Sequence, residues 1–305
     1  MAKTETPGEN AQLKDIISHA KEYGFVYPSS EIYDGLQAVY DYGAYGVELK
    51  NNLKRLWWES MTRVQDNIVG IDAAIFMHPT TWKASGHVDS FNDPMIDNKD
   101  SKKRYRADVL VEDHAATLEK AGQAEKGKAL TAALARLLEA EDLAGVRDLI
   151  TNEGIKCPIS GTSNWTDVRQ FNLMFSTQLG AVAEDASEIY LRPETAQGIF
   201  VNFLNVQKTA RMKIPFGIAQ VGKAFRNEIV ARQFIFRMRE FEQMEMQFFI
   251  RPGTQQEWYA YWKAERMKWH ESMGIPVESY RFHDHVKLAH YADAAVDIEY
   301  LFPFG

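Results

Sequence analysis

Two stretches of the 305-residue chain concentrate side chains suited to a charged, flat ligand. The first, 215–228, reads as one extended strand, PFGIAQVGKAFRNE. Side chains two apart on a strand share a face, so Arg226 and Glu228 are expected to project together, with Phe225 on the other side. Gly222 and Ala224 lead up to them and leave a shelf where a ligand could lie. A loop over 229–235 contains Arg232, and a second strand is expected over 236–250. Period two places Arg237, Arg239, Phe241, Gln243, Glu245 and Gln247 on one face. Met238, Glu240, Glu242, Met244, Met246 and Phe248 fall on the other. From Arg237 to Glu245 the first face runs roughly 27 Å at about 3.4 Å per residue.

Two guanidiniums, a ring, an amide and a carboxylate in a line match a ligand with an anionic end, a flat middle and an ammonium end. Arg grips phosphate oxygens in a bidentate fork, Phe241 offers a stacking plane, and Glu245 could pair an amine. A solvated strand face laced with cross-strand ion pairs is the alternative these residues leave open.

Phe225-Arg226-Asn227-Glu228, a loop, and then Arg237-x-x-x-Phe241-x-x-x-Glu245 together resemble motif 2 of the class II aminoacyl-tRNA synthetases. Asn172-Leu173-Met174-Phe175 and Leu191-Arg192-Pro193-Glu194-Thr195-Ala196-Gln197-Gly198 are similar to segments of the glycyl-tRNA synthetases of the homodimeric type. Pro94, in Asp93-Pro94-Met95-Ile96-Asp97, would stand where motif 1 places its proline at the dimer contact. The resemblance runs from about Tyr23 onward and is weakest over 115–150.

The resemblance implies an α+β class II catalytic fold, an antiparallel sheet flanked by helices and interrupted by a helical insertion. It implies activation of glycine by ATP with Mg²⁺ to glycyl-adenylate, then transfer to tRNA(Gly). By the same likeness Arg226 would hold the α-phosphate, Asn227 and Phe236 would line the nucleotide, and Glu228 would accept from the adenine amino group. Phe241 would stack on adenine and Arg237 would reach the outer phosphates. Glu194, Gln243 and Glu245 would hold glycine, and Arg106, in Tyr105-Arg106-Ala107-Asp108, would be the substrate arginine. Carboxylates crowding the α-carbon satisfy the ammonium and exclude a larger side chain. Glu194, following Pro193, also suits the dipole at the start of a helix. A non-catalytic relative serving as a nucleic-acid-binding or polymerase accessory subunit is the competing expectation, opposed by the retained Arg226, Glu228, Phe241 and Glu245.

The family's third motif is Gly-rich and carries a γ-phosphate arginine. After Gln247 the glycines are Gly253, Gly274 and Gly305, with no G-x-G among them. The expectation is a catalytic part cut before motif 3 and before an anticodon-binding domain, with low activity alone.

Composition sets the frame for these residues. Apolar residues are 45% and charged residues 25%, the balance of a folded globular protein rather than a disordered one. No window approaches eighteen apolar residues and the start is polar, so neither a membrane span nor a secretory signal is expected, and the address is cytoplasmic. A net charge of −7 excludes coating nucleic acid by bulk electrostatics and leaves room for a local basic strip. A single cysteine, Cys157, excludes a disulfide framework and a cysteine-rich zinc module; it is expected to pack as a small apolar residue. His283, His285 and His290 are expected to be structural, with no metal site, and Trp57 and Trp58 to be core.

The positioning elements follow from periodicity. Residues 1–12 read as a loose leader, and helices are expected over 13–23, 47–64 and 195–206. Short strands are expected at 107–111, 169–175 and 186–192, and at 73–77 a strand or a turn-bounded segment. Over 115–150 the Ala, Leu, Glu and Lys texture predicts a helical hairpin inserted on the surface. The resulting division is 1–12 leader, 13–110 first part of the catalytic domain, 111–165 helical insertion and 166–305 core with motif 2.

Overall fold

The computed structural model describes residues 7–180, 187–229, 234–285, 288 and 291–302, with side chains from residue 12 onward. They fall into two units. A sheet unit takes 3–75, 194–224 and 240–305, and a helical unit takes 76–193 and 225–239.

In the sheet unit, α1 (Pro7–Glu22) starts inside the segment expected to be loose; proline is tolerated in a first helical turn, where no backbone donor is needed. A short antiparallel pair, β1 (Val26–Pro28) and β2 (Tyr40–Tyr42), leads into α2 (Ala44–Thr62). The strand that follows is β3 (Ile68–Gly70), upstream of the apolar run at 73–77, which forms no strand.

Within the helical unit come α3 (Pro79–Ala84), α4 (His87–Ser90), β4 (Asn92–Asn98) and β5 (Lys103–Arg106). Three helices follow, α5 (Ala107–Lys120), α6 (Ala124–Glu139) and α7 (Leu143–Asn152). Residues 107–111, expected as a strand, are therefore the first turns of α5. Ala107, Leu110, Val111 and Ala115 are buried at i, i+3, i+4 and i+8, one helix face, and pack with Leu130, Leu134, Val146 and Ile150. The helical segment is thus a three-helix arrangement whose core is shared with Ile96 of β4, Tyr105 of β5 and Trp165.

The remaining strands of this unit are β6 (Arg169–Asn172), β7 (Ser176–Leu179) and β8 (Ser187–Tyr190). β4 is central in an antiparallel sheet with β5 and β6, and β7 pairs antiparallel with β8. Pro94 pairs with Gln170 and is buried in this sheet.

Cys157 is 1% exposed and packs in the apolar cluster with Ile155, Trp165 and Ile150, while its sulfur also has polar neighbours: the Tyr105 hydroxyl lies 3.2 Å and Ser101 Oγ 3.3 Å from Sγ, and the Ser160 N–H donates to it at 3.5 Å. The expected apolar packing is found, and the hydrogen bonds to the sulfur are an addition to it.

The sheet unit resumes with α8 (Ala196–Val201) and α9 (Phe203–Thr209), two helices where one was expected, and then β9 (Phe216–Phe225). It continues with β10 (Glu240–Phe249), α10 (Gln255–Ser272), β11 (Tyr280–Asp284) and β12 (Val296–Tyr300). β9 lies between β10 and β3. The β3–β9 pairing is parallel, Ile68 opposite Gly217 and Gly70 opposite Ala219, so this sheet is not wholly antiparallel.

Period-two alternation feeds a core on each face. Phe216 and Ile218 of β9 pack with Ile199 and Val206 of the α8–α9 segment. Ala219 joins Trp57, Met61 and Ile68, with Met244, Met246, Phe248, Trp262 and Trp269 against them. Trp57 is a core residue as expected, and Trp58, partly buried, packs against the same cluster. On the antiparallel β11–β12 hairpin, His283 Nδ1 meets Glu299 at 2.7 Å and His285 Nε2 meets Asp297 at 2.9 Å. These are hydrogen-bonding histidines; His290 lies outside the described residues.

Candidate active site

The sequence-selected residues divide between the units and are described in each. In the helical unit, β9 ends at Phe225, so Arg226 to Glu228 do not continue the strand. Their backbone closes locally: Arg226 N–H donates to Arg239 O at 2.9 Å, Asn227 N–H to Leu173 O at 2.7 Å, and Glu228 N–H back to Arg226 O at 2.7 Å. That last bond folds the chain tightly enough to cancel strand alternation, so the expected sharing of one strand face by Arg226 and Glu228 does not hold.

Arg226 instead donates from Nε to Pro193 O at 3.1 Å and holds its guanidinium 5.5 Å from the Phe91 ring centre. Glu228, 15% exposed, has the 46% exposed Arg237 as its cation, Oε2 to Nε 4.0 Å. Arg239 Nε donates to Glu228 O at 2.9 Å and braces the same turn. The segment before β10 is a 3-10 turn, Phe234–Phe236, so Arg237 and Arg239 precede the strand rather than extend its face. Phe236 is half exposed, and Arg232 lies outside the described residues.

Arg106 closes β5 and is held in a fork by Asp108, Nε to Oδ1 3.1 Å and Nη2 to Oδ2 2.5 Å, with Nη1 3.3 Å from Asp93. Its hydrogen bonds to Asp108 raise its pKa further, against burial. Asp93 is pushed up: burial is the main cause, Asp108 and Glu228 add to it, and Arg106 and Arg237 oppose it. Arg106, Asp93, Asp108, Glu228 and Arg237 therefore form one electrostatic group in which cations and carboxylates alternate. Asp93 and Asp108 escaped the sequence reading, although each stands beside a residue it singled out.

Within the sheet unit, Phe241, Gln243, Glu245 and Gln247 lie on β10 with the alternation expected of them. Their neighbours Met244, Met246 and Phe248 turn into the core, and Glu242 is held by Lys50 and Lys54 of α2, each at 3.0 Å. Gln243 Oε1 accepts the backbone N–H of Thr195 at 3.1 Å. The Thr195 hydroxyl donates to Glu245 Oε2 in a short bond, and Gln247 Nε2 donates to Glu245 Oε1 at 2.7 Å. Glu194 accepts from Gln197 Nε2 at 2.7 Å. The turn before α8 and one face of β10 thus share a polar network containing both expected carboxylates.

Thr195 is fully buried and Gln197 nearly so, and neither was selected from the sequence. Gln220 was also missed: it is fully buried in β9, its Oε1 accepts Ala73 N–H at 3.1 Å, and its Nε2 has no partner among the described residues. The available signal was polarity out of place, a glutamine inside the apolar run Phe216 to Val221 and a threonine and glutamine flanking Ala196 and Gly198. Among the described residues no group of three or more His, Cys, Asp or Glu side chains is placed to hold a metal ion.

The chain matches two family models. Residues 93–131 and 122–173 match the glycyl-tRNA synthetase insertion domain 1, and 175–305 match the tRNA synthetase class II core domain (G, H, P, S and T). It is 56% identical over 295 residues to a glycine–tRNA ligase of Chlorobaculum tepidum, covering 96% of this chain and 63% of that protein. It is 53% identical to the Macrococcus caseolyticus glycine–tRNA ligase, covering 96% and 61%. It is 52% identical to that of Geobacillus thermodenitrificans, covering 97% and 61%. The chain thus spans about three-fifths of the length of the relatives it matches. Among solved structures, the RNA binding domain of threonyl-tRNA synthetase from Cryptosporidium parvum Iowa II aligns with a TM-score of 0.49 at 14% identity, covering 87% of this chain and 43% of that one. No helix of the described residues is long and apolar enough to cross a membrane.

Proposed function

Because residues 175–305 match the class II tRNA synthetase core domain and 93–173 the glycyl-tRNA synthetase insertion domain, we propose that the chain is a class II synthetase part that serves glycine–tRNA ligation. In this reading a carboxylate oxygen of glycine attacks the α-phosphorus of ATP, pyrophosphate leaves, and the glycyl group of the adenylate then passes to the 3′ end of tRNA(Gly). No protein nucleophile is needed, so catalysis is positioning and charge neutralisation. The observation that carries the reading is the network joining Glu194, Thr195, Gln197, Gln243 and Glu245, which fixes two carboxylates to one turn and one strand.

In the sheet unit Glu194 and Glu245 would take the glycine ammonium, Gln243 would line that position, and Phe241 would stack on adenine. In the helical unit Arg226 would bind the α-phosphate and Arg237 the outer phosphates, while Asn227, Glu228 and Phe236 would line the nucleotide. Arg106, already forked on Asp108, acts less as a loose hook for substrate than as the anchor of its carboxylate group. Mg²⁺ enters this scheme as the counterion of the triphosphate, with no protein ligand assigned. A homodimer, a cytoplasmic address and the division into a core with a helical insertion over 111–165 belong to the same proposal.

Glycine-dependent exchange of pyrophosphate into ATP tests it. Low exchange by this chain, driven by glycine and not by alanine or serine, is the expected outcome. Exchange indifferent to the amino acid would overturn it.

A further inference from the structure

The sheet unit carries a basic surface outside the residues assigned so far. The chain holds 42 Asp and Glu among 305 residues, yet neither occurs at any position from 195 to 227 or from 246 to 256. These two acid-free stretches supply the walls of one open cleft of about 420 Å³. It is lined by Gln207, Lys213 and Arg251 over an apolar floor of Met212, Ile214, Ile250 and Pro252. Lys208, at the end of α9, and Arg211 sit beside the lining residues Gln207 and Met212. Lys208, Arg211, Lys213 and Arg251 are all exposed, and none forms an ion pair among the described residues.

A structural role accounts for little of this. Lys208 in the last turn of α9 gains from the helix dipole, but Arg211, Lys213 and Arg251 lie outside any helix. Surface cations on an acidic protein ordinarily find carboxylates nearby, and like charges within a Debye length of about 8 Å repel each other. Four cations on stretches that carry no carboxylate, none of them ion-paired among the described residues, on a chain of net charge −7, complement a polyanion.

We propose that Lys208, Arg211, Lys213 and Arg251 form a phosphate-binding surface that seats the backbone of the RNA substrate, an inference that rests on the tRNA-ligating function proposed above. The cations meet phosphate oxygens, Gln207 offers a hydrogen bond to ribose or phosphate, and the apolar floor packs beneath the sugar edge. Contacts of this kind position an RNA without reading its sequence.

The test is binding of a tRNA(Gly) transcript by fluorescence anisotropy across a salt series, comparing the unmodified protein with Lys213→Glu/Arg251→Glu and with the neutral Lys213→Gln/Arg251→Gln. Thermal melting establishes that both variants fold. Release of counterions gives a slope of log K against log salt of about −0.7 to −0.9 per phosphate contact. Removing both cations is therefore expected to flatten the slope by about 1.4–1.8 in either variant, and charge reversal to weaken binding at least about tenfold, with the neutral pair intermediate in affinity. Binding of a non-hydrolysable glycyl-adenylate analogue should stay unchanged. Unaltered RNA affinity and slope in both variants would overturn the proposal, as would a change confined to self-association, which would make the cleft an interface between copies. Loss of the analogue's binding to the unmodified protein would instead sink the glycine reading, so the two failures are separable.

Discussion

Thr195 donates its hydroxyl to Oε2 of Glu245, although fifty residues separate the two in the chain. Thr195 is fully buried, and its backbone N–H is held by Gln243 at 3.1 Å, so the hydroxyl has a fixed origin from which to aim the carboxylate. If Glu245 holds the glycine ammonium, Glu245→Gln removes a charge-assisted hydrogen bond worth about 1.5–3 kcal/mol. The glycine KM in pyrophosphate exchange should rise about tenfold or more with the ATP KM nearly unchanged. Thr195→Val should act in the same direction through Glu245, and Thr195→Ser should restore it. Equal losses for ATP and glycine would remove Glu245 from the amino-acid position.

Phe241 stands on the same strand face, two residues before Gln243. As a stacking plane for adenine it should contribute about 1–3 kcal/mol, so Phe241→Ala should weaken ATP about tenfold or more and leave the glycine KM in place. Equilibrium binding of a non-hydrolysable ATP analogue reads this directly. Unchanged nucleotide affinity would reassign the ring to packing.

What the sequence disclosed and what it hid divide along a physical line. On β10 the separation of Gln243, Glu245 and Gln247 from Met244, Met246 and Phe248 was legible, because strand alternation is local and one face is buried. At Arg226 to Glu228 the same rule failed. Backbone bonds from Arg226 to Arg239 and from Glu228 to Arg226 end the strand, and the first of these depends on a residue thirteen positions away. The start of α5 was misread because Ala107 to Val111 is apolar and short, and only the continuation to Ala115 shows a helical period. Thr195, Gln197 and Gln220 were passed over because a buried polar side chain gives no periodic signal; its partner identifies it. Pro94 sits in a central strand, where proline is rarely expected.

Gly198 sets how closely α8 approaches the segment after β3. A Cβ built there would lie 2.7 Å from the Cβ of Ala73, whose backbone N–H is pinned by the buried Gln220. Neither atom belongs to a flexible side-chain end, so Gly198→Ala forces the backbones apart. Overpacking of this kind costs about 1–3 kcal/mol. A thermal melt should show the midpoint falling by several degrees, and the double variant with Ala73→Gly, which removes the clashing methyl, should recover most of it. A single substitution as stable as the unmodified protein would mean that α8 has room to move.

Cys157 supplies a pH signature that belongs to the helical unit alone. Burial pushes its thiol up, but hydrogen bonding with Ser101, Ser160 and Tyr105 outweighs burial and brings it down to about 6 from the ordinary 9.0. Between those values the folded chain binds fewer protons at this sulfur than the unfolded chain does, so the unit gains stability as pH rises through that window. The gain is complete above the unfolded value and is lost as pH falls through the folded one. Because Cys157 is the only cysteine, thiolate absorbance followed against pH reports it without interference and should show a midpoint near 6. Melting midpoints measured across the same window should climb more steeply for the unmodified protein than for Cys157→Ala. Parallel curves, or a thiolate that forms only near 9, would show that Sγ is a neutral hydrogen-bond donor in the core and that the surrounding hydroxyls accept from it.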